Sequence, residues 1–162
     1  MREEKGWVGW RKALSFQFNA AVEGIGGDEV RLAAHLCFGN YAGRPLGKRV
    51  YAPVVDQMLR FDVDELVLES ANREMAELPL LGELAAVKRV AVGVVDIKSY
   101  YIETARDMAA RARQVLAHVP PDRLNLVPDC GFNQTAWWAE RAQLRARGDG
   151  KRLVRRDLTG GA

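Results

Sequence analysis

Apolar and polar positions follow two rhythms along this chain, and the rhythms alternate. Between residues 7 and 22, Trp7, Trp10, Leu14, Phe18 and Ala21 recur at spacings of three and four, the stripe of an amphipathic helix. Gly24, Gly26 and Gly27 end it. From Glu29 to Cys37 the period becomes that of a strand: Ala33, His35 and Cys37 share one face, and Val30, Leu32, Ala34 and Leu36 share the other. A loop from Phe38 to Gly47 follows. The spacing then predicts a helix from about Arg49 to Leu59, with Val50, Val54, Val55 and Met58 inward and Pro53 near its first turn, where it is tolerated.

The same alternation continues. Val63 to Glu69 reads as a second strand, followed by a short helical stretch from Arg73 to Leu84 that is interrupted near Pro79. Arg89 to Ile97 is an almost unbroken apolar run, the mark of a strand buried on both faces. Thr104 and Asp107 have the spacing of a capping box, opening a helix that runs to about His118 and stops at Pro120-Pro121. Leu124 to Val127 is the fourth strand, and it leads into Pro128-Asp129-Cys130-Gly131. The last helix is expected from Thr135 to Arg147, with residues 148–162 as a Gly-rich basic tail.

One helix and then four strand–helix units, about 30 residues apart, predict an α/β fold with parallel strands. A closed eight-stranded barrel takes about 250 residues. The 162 residues here have room for about half of one, read as a single domain over 1–162.

Composition adds limits. The chain is 48% hydrophobic and 28% charged, which suits a sizeable core. The net charge is +3, but 21 acids and 24 bases are mixed along most of the chain, so solvated surface explains the charge better than a nucleic-acid partner. No apolar run approaches the roughly 20 residues that span a bilayer. Met1 to Lys5 is charged, and no signal-like segment follows it. The expectation is a cytoplasmic protein whose cysteines are reduced and available to a metal.

Candidate chemistry gathers at one end of the strands. His35, Cys37, Glu69, Asp96, Lys98, Asp129 and Cys130 all fall at predicted C-terminal tips, where α/β barrels place their sites. The opposite ends carry Glu29, Lys88 and Asp122, with no comparable cluster. An imidazole and a thiol two residues apart on one strand form half of a zinc site. Cys130 is the one other cysteine, and Glu69 is a possible fourth ligand. A buried cysteine is otherwise a small hydrophobe. His118, at a helix C-terminus, suits the helix dipole and is given no catalytic part.

The segments that carry these residues are His35-Leu-Cys-Phe-Gly-Asn-Tyr41, Leu66-Val-Leu-Glu69-Ser70, Gly93-Val-Val-Asp-Ile-Lys-Ser99 and Asn125-Leu-Val-Pro-Asp-Cys-Gly131. In order and spacing they resemble the C-terminal domain of cobalamin-independent methionine synthase, across roughly residues 20 to 147. The resemblance implies the second half of a (βα)8 barrel of the type shared with uroporphyrinogen decarboxylase. It also implies a zinc held by His35, Cys37, Glu69 and Cys130 that activates homocysteine as a thiolate to take a methyl group from a methyltetrahydrofolate. With it come Asp96 and Lys98 as catalytic candidates and Asp129 and Ser70 as substrate-binding ones.

Two departures shape the expectation. The family's Asp-Ile-His-Ser is here Asp96-Ile97-Lys98-Ser99, and the stretch after Glu69 also differs. This is closer to the wider set of synthase-like zinc enzymes, some of which alkylate other thiols such as coenzyme M. The first four βα units of the family's barrel are not in this sequence, so the half-barrel is expected to form a homodimer or to pair with a partner chain. Two alternatives remain: a non-catalytic zinc-binding half-barrel that assembles with a partner chain, and a metal-free α/β fragment.

Overall fold

The computed structural model describes residues 13–40, 44, 48–133 and 135–160. Trp7 and Trp10 of the first predicted stripe lie outside them. Residues 13–22 are helical (α1), and Leu14 and Phe18 pack on the main core, with the Phe18 ring stacked on Phe61 at 4.5 Å between centroids. The strands are β1 (Ala33–Leu36), β2 (Glu65–Leu68), β3 (Arg89–Val95) and β4 (Leu124–Pro128). Between and after them come α2 (Val55–Arg60), α3 (Leu78–Val87), α4 (Ala105–Leu116) and α5 (Trp137–Leu158).

The four strands form one parallel sheet in the order β1-β2-β3-β4. Sequential order with no reversal is what a segment of a barrel requires, since a doubly wound sheet would reverse direction partway. Strand parity sorts the side chains. Ala34, Leu66, Leu68, Val90 and Val92 face the helices and form the core with Met58, Leu81, Leu84, Val115 and Val119. The other face carries His35, Val67 and Ala91 in register, then Asn125. Asn125 donates to the Glu65 carboxylate on that face. This inner face is thus partly polar, because Glu65 and Asn125 pair across it.

Several boundaries differ from the predicted ones. The first strand pairs only from Ala33, not from Glu29, because the preceding residues form a turn closed by a Gly27–Val30 bridge. The predicted helix at 49–59 is a 3₁₀ turn, Ala52–Val54, that runs into α2. The stretch expected to be helical from Arg73 breaks at Glu74, Met75 and Glu77, which take left-handed backbone angles, and not at Pro79. Pro79 sits in the first turn of α3, where no helical N–H is lost. The Thr104–Asp107 capping box forms as predicted.

The largest correction concerns the C-terminal end. The chain from Gly148 is no tail: α5 runs on to Leu158, with Gly150 and Val154 buried. A Cβ on Gly150 would lie 2.6 Å from Met108 Cβ and 2.9 Å from the Ala105 carbonyl oxygen. This glycine lets α5 pass close against α4 and is not a helix stop. Among the described residues, no helix is long and apolar enough to cross a membrane.

Candidate metal centre

The strand tips converge. β1 and β4 are the outer strands of the sheet, and in a flat sheet three inter-strand spacings would separate them by about 14 Å. Yet His35, Cys37 and Cys130 each offer a ligand atom within 4.8 Å of the other two. Only a sheet curled as in a barrel brings those tips together. His35 is the penultimate residue of β1, Cys37 comes directly after that strand, and Cys130 follows β4 by two residues. Both cysteines are free.

The charges around these groups suit a cation. Desolvation holds His35 below its ordinary value, against a hydrogen bond to the Val67 backbone and the Glu69 charge, which favours the neutral ligating imidazole. Burial, with Cys37 as a close neighbour, pushes the Cys130 thiol up to about 12. Two adjacent thiols resist becoming thiolates together unless a positive charge joins them.

Glu69, at the tip of β2, is fully buried. Its Oε2 accepts hydrogen bonds from Lys98 Nζ at 2.6 Å and from the Phe38 amide at 3.1 Å. Its Oε1 is buried, with no hydrogen-bond partner among the described residues. A buried carboxylate oxygen without a donor is costly. The imidazole and two thiols that meet are three donors of the kind a zinc site uses, so the residues present fit the group; Glu69 is not among the ligand atoms that converge within 4.8 Å.

The remaining candidates sort by what they touch. Lys98 is paired with Glu69, and neither side chain reaches solvent. Asp96 takes both of its oxygens to the Asn72 side-chain amide, at 3.1 and 3.0 Å, and one also accepts from the Lys98 backbone. Asp129 accepts from the Ser70, Ala71 and Asn72 amides at 2.8, 2.9 and 2.6 Å. Burial pushes its carboxyl up to about 6 against those three donors. Fully buried, Asp129 acts as a strut between the β4 and β2 tips, with two of its three amide donors on Oδ1 and one on Oδ2. Gly93 leaves room for it, since a Cβ there would fall 2.0 Å from Asp129 Oδ1. Ser70 is also fully buried, its hydroxyl unpartnered.

Sequence reasoning missed the supports: Asn72, Arg73, Glu77, Tyr51 and Glu103. Glu103 is buried and accepts from the Asp96 amide, Arg111 and Gln143, which fixes the loop after β3. These are loop residues with no periodicity, and a carboxylate four residues after an arginine (Arg73, Glu77) is the one local signal. Next to the centre, a cleft of about 690 Å³ opens between Lys98, Tyr100 and Trp138.

Comparison with known proteins agrees with this geometry. The cobalamin-independent synthase catalytic domain matches residues 18–149. A 2-hydroxypropyl-CoM lyase of Xanthobacter autotrophicus is 30% identical over 87% of this chain and 44% of its own length. A 5-methyltetrahydropteroyltriglutamate–homocysteine methyltransferase of Rhodococcus jostii is 28% identical over 96% of this chain and 19% of its own. The B12-independent methionine synthase of Shewanella sp. W3-18-1, solved in complex with selenomethionine, superposes with a TM-score of 0.75 at 28% identity. The superposition covers 88% of this chain and 42% of that one, so the four-stranded sheet is part of a TIM-type barrel. The chain spans less than half the length of these relatives.

Proposed function

The chain belongs to the cobalamin-independent synthase catalytic-domain family, and from that premise we propose that it carries the zinc-binding part of a cytoplasmic enzyme that transfers a methyl group to a thiol. The acceptor would be homocysteine, giving methionine, and the donor a methyltetrahydrofolate. The observation that carries the reading is the meeting of His35, Cys37 and Cys130 within 4.8 Å. The unpartnered Glu69 Oε1 supports a fourth ligand.

When bound, zinc lowers the pKa of a substrate thiol and holds it as a nucleophile. The chain's own residues set the conditions. Cys37 and Cys130 bring negative charge as ligands, and the Lys98 ammonium offsets part of it while holding Glu69 in place. Asp96, fixed by Asn72, faces the same loop as Lys98 and is positioned to steer its backbone. Asp129 keeps the β4 tip, and so Cys130, against the loop after β2. The rest of the barrel would supply the remaining substrate contacts.

A second reading is alkyl transfer to another thiol such as coenzyme M. Two observations favour it: the similarity to a 2-hydroxypropyl-CoM lyase, and a lysine at position 98 that is committed to Glu69. The test measures zinc content and then product with homocysteine or coenzyme M as acceptor. One zinc per chain, lost in Cys130→Ser, with methionine formed from homocysteine, is the expected result. Zinc retained in that variant sinks the metal assignment, and product with coenzyme M alone selects the second reading.

A further inference from the structure

Tyr51 lies outside every ligand segment, yet its hydroxyl reaches the centre's framework. It donates to the Leu36 carbonyl oxygen at 2.9 Å and lies 3.1 Å from the Glu69 carbonyl oxygen, one proton shared between the tips of β1 and β2. Leu36 is the residue between His35 and Cys37. One buried phenol therefore ties the backbone of both β1 donors to that of the carboxylate on β2.

The phenol is itself held from several sides. Its ring packs against Phe38 at 4.7 Å between centroids, and the Arg73 guanidinium lies over both rings, 4.9 Å from Phe38 and 4.8 Å from Tyr51. Glu77 accepts from the Tyr51 amide at 2.9 Å and from the Ala52 amide at 3.0 Å, and it pairs with Arg73. Arg73 Nε donates to the Arg49 carbonyl at 2.9 Å. Phe38, whose ring meets Tyr51, is the residue whose amide donates to Glu69 Oε2. The circuit runs from the loop after β2, through Tyr51, back to both metal-facing tips.

We infer that Tyr51 is a positioning residue of the metal centre, setting the separation of the His35–Cys37 pair from Glu69 through the hydrogen bonds of its hydroxyl to the β1 and β2 tips. The inference rests on the proposed zinc site. Groups that orient metal ligands typically govern affinity by about 10- to 100-fold.

Tyr51→Phe keeps the ring, its contact with Phe38 and its place under Arg73, and removes only the hydroxyl. The chain is loaded with zinc in competition with a chromophoric chelator, and separately with cobalt(II) for its visible spectrum. Val115→Ala, a core substitution on the helix side of the sheet, serves as the comparison for plain destabilisation. The expected result is a loss of about 10-fold or more in zinc affinity and a changed cobalt spectrum for Tyr51→Phe, with Val115→Ala changing neither. An unchanged affinity and spectrum in Tyr51→Phe overturns the inference while leaving the zinc site standing. A wild-type chain that takes up neither metal overturns both.

Discussion

Lys98 Nζ lies 2.6 Å from Glu69 Oε2, and both side chains are shut away from water. The pair joins the tips of β3 and β2 inside the candidate centre. Two charges this deep attract strongly but have lost their hydration, so a lone survivor is worse off than either the pair or a neutral replacement. Lys98→Met should therefore cost about 3–5 kcal/mol of stability. Glu69→Gln combined with Lys98→Met should recover part of that loss. Urea unfolding of the metal-free single and double variants checks it, and strictly additive costs would show the two residues are uncoupled.

Gly93 faces Asp129 across the inner side of the sheet. Gly93→Ala forces a methyl onto Asp129 Oδ1, at a separation of 2.0 Å, so the carboxylate must swing away. That would strand the Ser70, Ala71 and Asn72 amides it satisfies. Overpacking and lost buried hydrogen bonds together should cost about 3 kcal/mol or more. Thermal unfolding reads the stability, and a variant as stable as the parent would refute the strut.

Two glycines of α5 predict opposite signs. Alanine is normally worth about 1 kcal/mol over glycine inside a helix. At Gly148 the nearest atom to an added Cβ is the flexible end of Arg152, 3.9 Å away, so Gly148→Ala should stabilise by about that amount. At Gly150 the added methyl meets Met108 Cβ and the Ala105 backbone, and a packing cost of about 1–3 kcal/mol outweighs the helix gain. Denaturant midpoints of the two variants should move in opposite directions.

Glu77 makes the fold sensitive to acid. Burial opposes its ionisation, but the Tyr51 and Ala52 amides and the Arg73 guanidinium outweigh that and hold its carboxyl below its ordinary value of 4.5. A carboxylate more acidic in the folded chain adds stability above pH 4.5, and that stability is lost as pH falls through the folded value. Glu77→Gln should therefore unfold more easily than the parent at neutral pH, and the two curves should converge well below pH 4.5. Unfolding midpoints across pH 3 to 7 measure this (roughly the carboxylate range), and a gap that stays constant counts against the role of Glu77.

How much of this the sequence disclosed depends on the residue. The apolar run at Arg89 to Ile97 announced a strand buried on both faces, and β3 is one. His35 and Cys37 were visible as a pair because strand parity alone puts them on one side. Their meeting with Cys130, 93 positions further on, was legible only through the family resemblance, since no local pattern joins residues so far apart. Gly148 and Gly150 misled because glycine reads as a helix stop, whereas Gly150 is there for the close passage of α4. Asp129 stood out by its place at a strand tip, but what it holds together there was hidden. Its partners are backbone amides, which any sequence carries and no motif records.

The outermost strands of the sheet hold the three donors that meet. An ion gripped there would act as a clasp, fastening the first strand to the last and closing a loop of 93 residues. In a chain-entropy account a cross-link of that span removes about 4–5 kcal/mol of freedom from the unfolded chain. Loading with metal would then harden the whole arc at once, so that the chemistry and the durability of this protein would share a single lock.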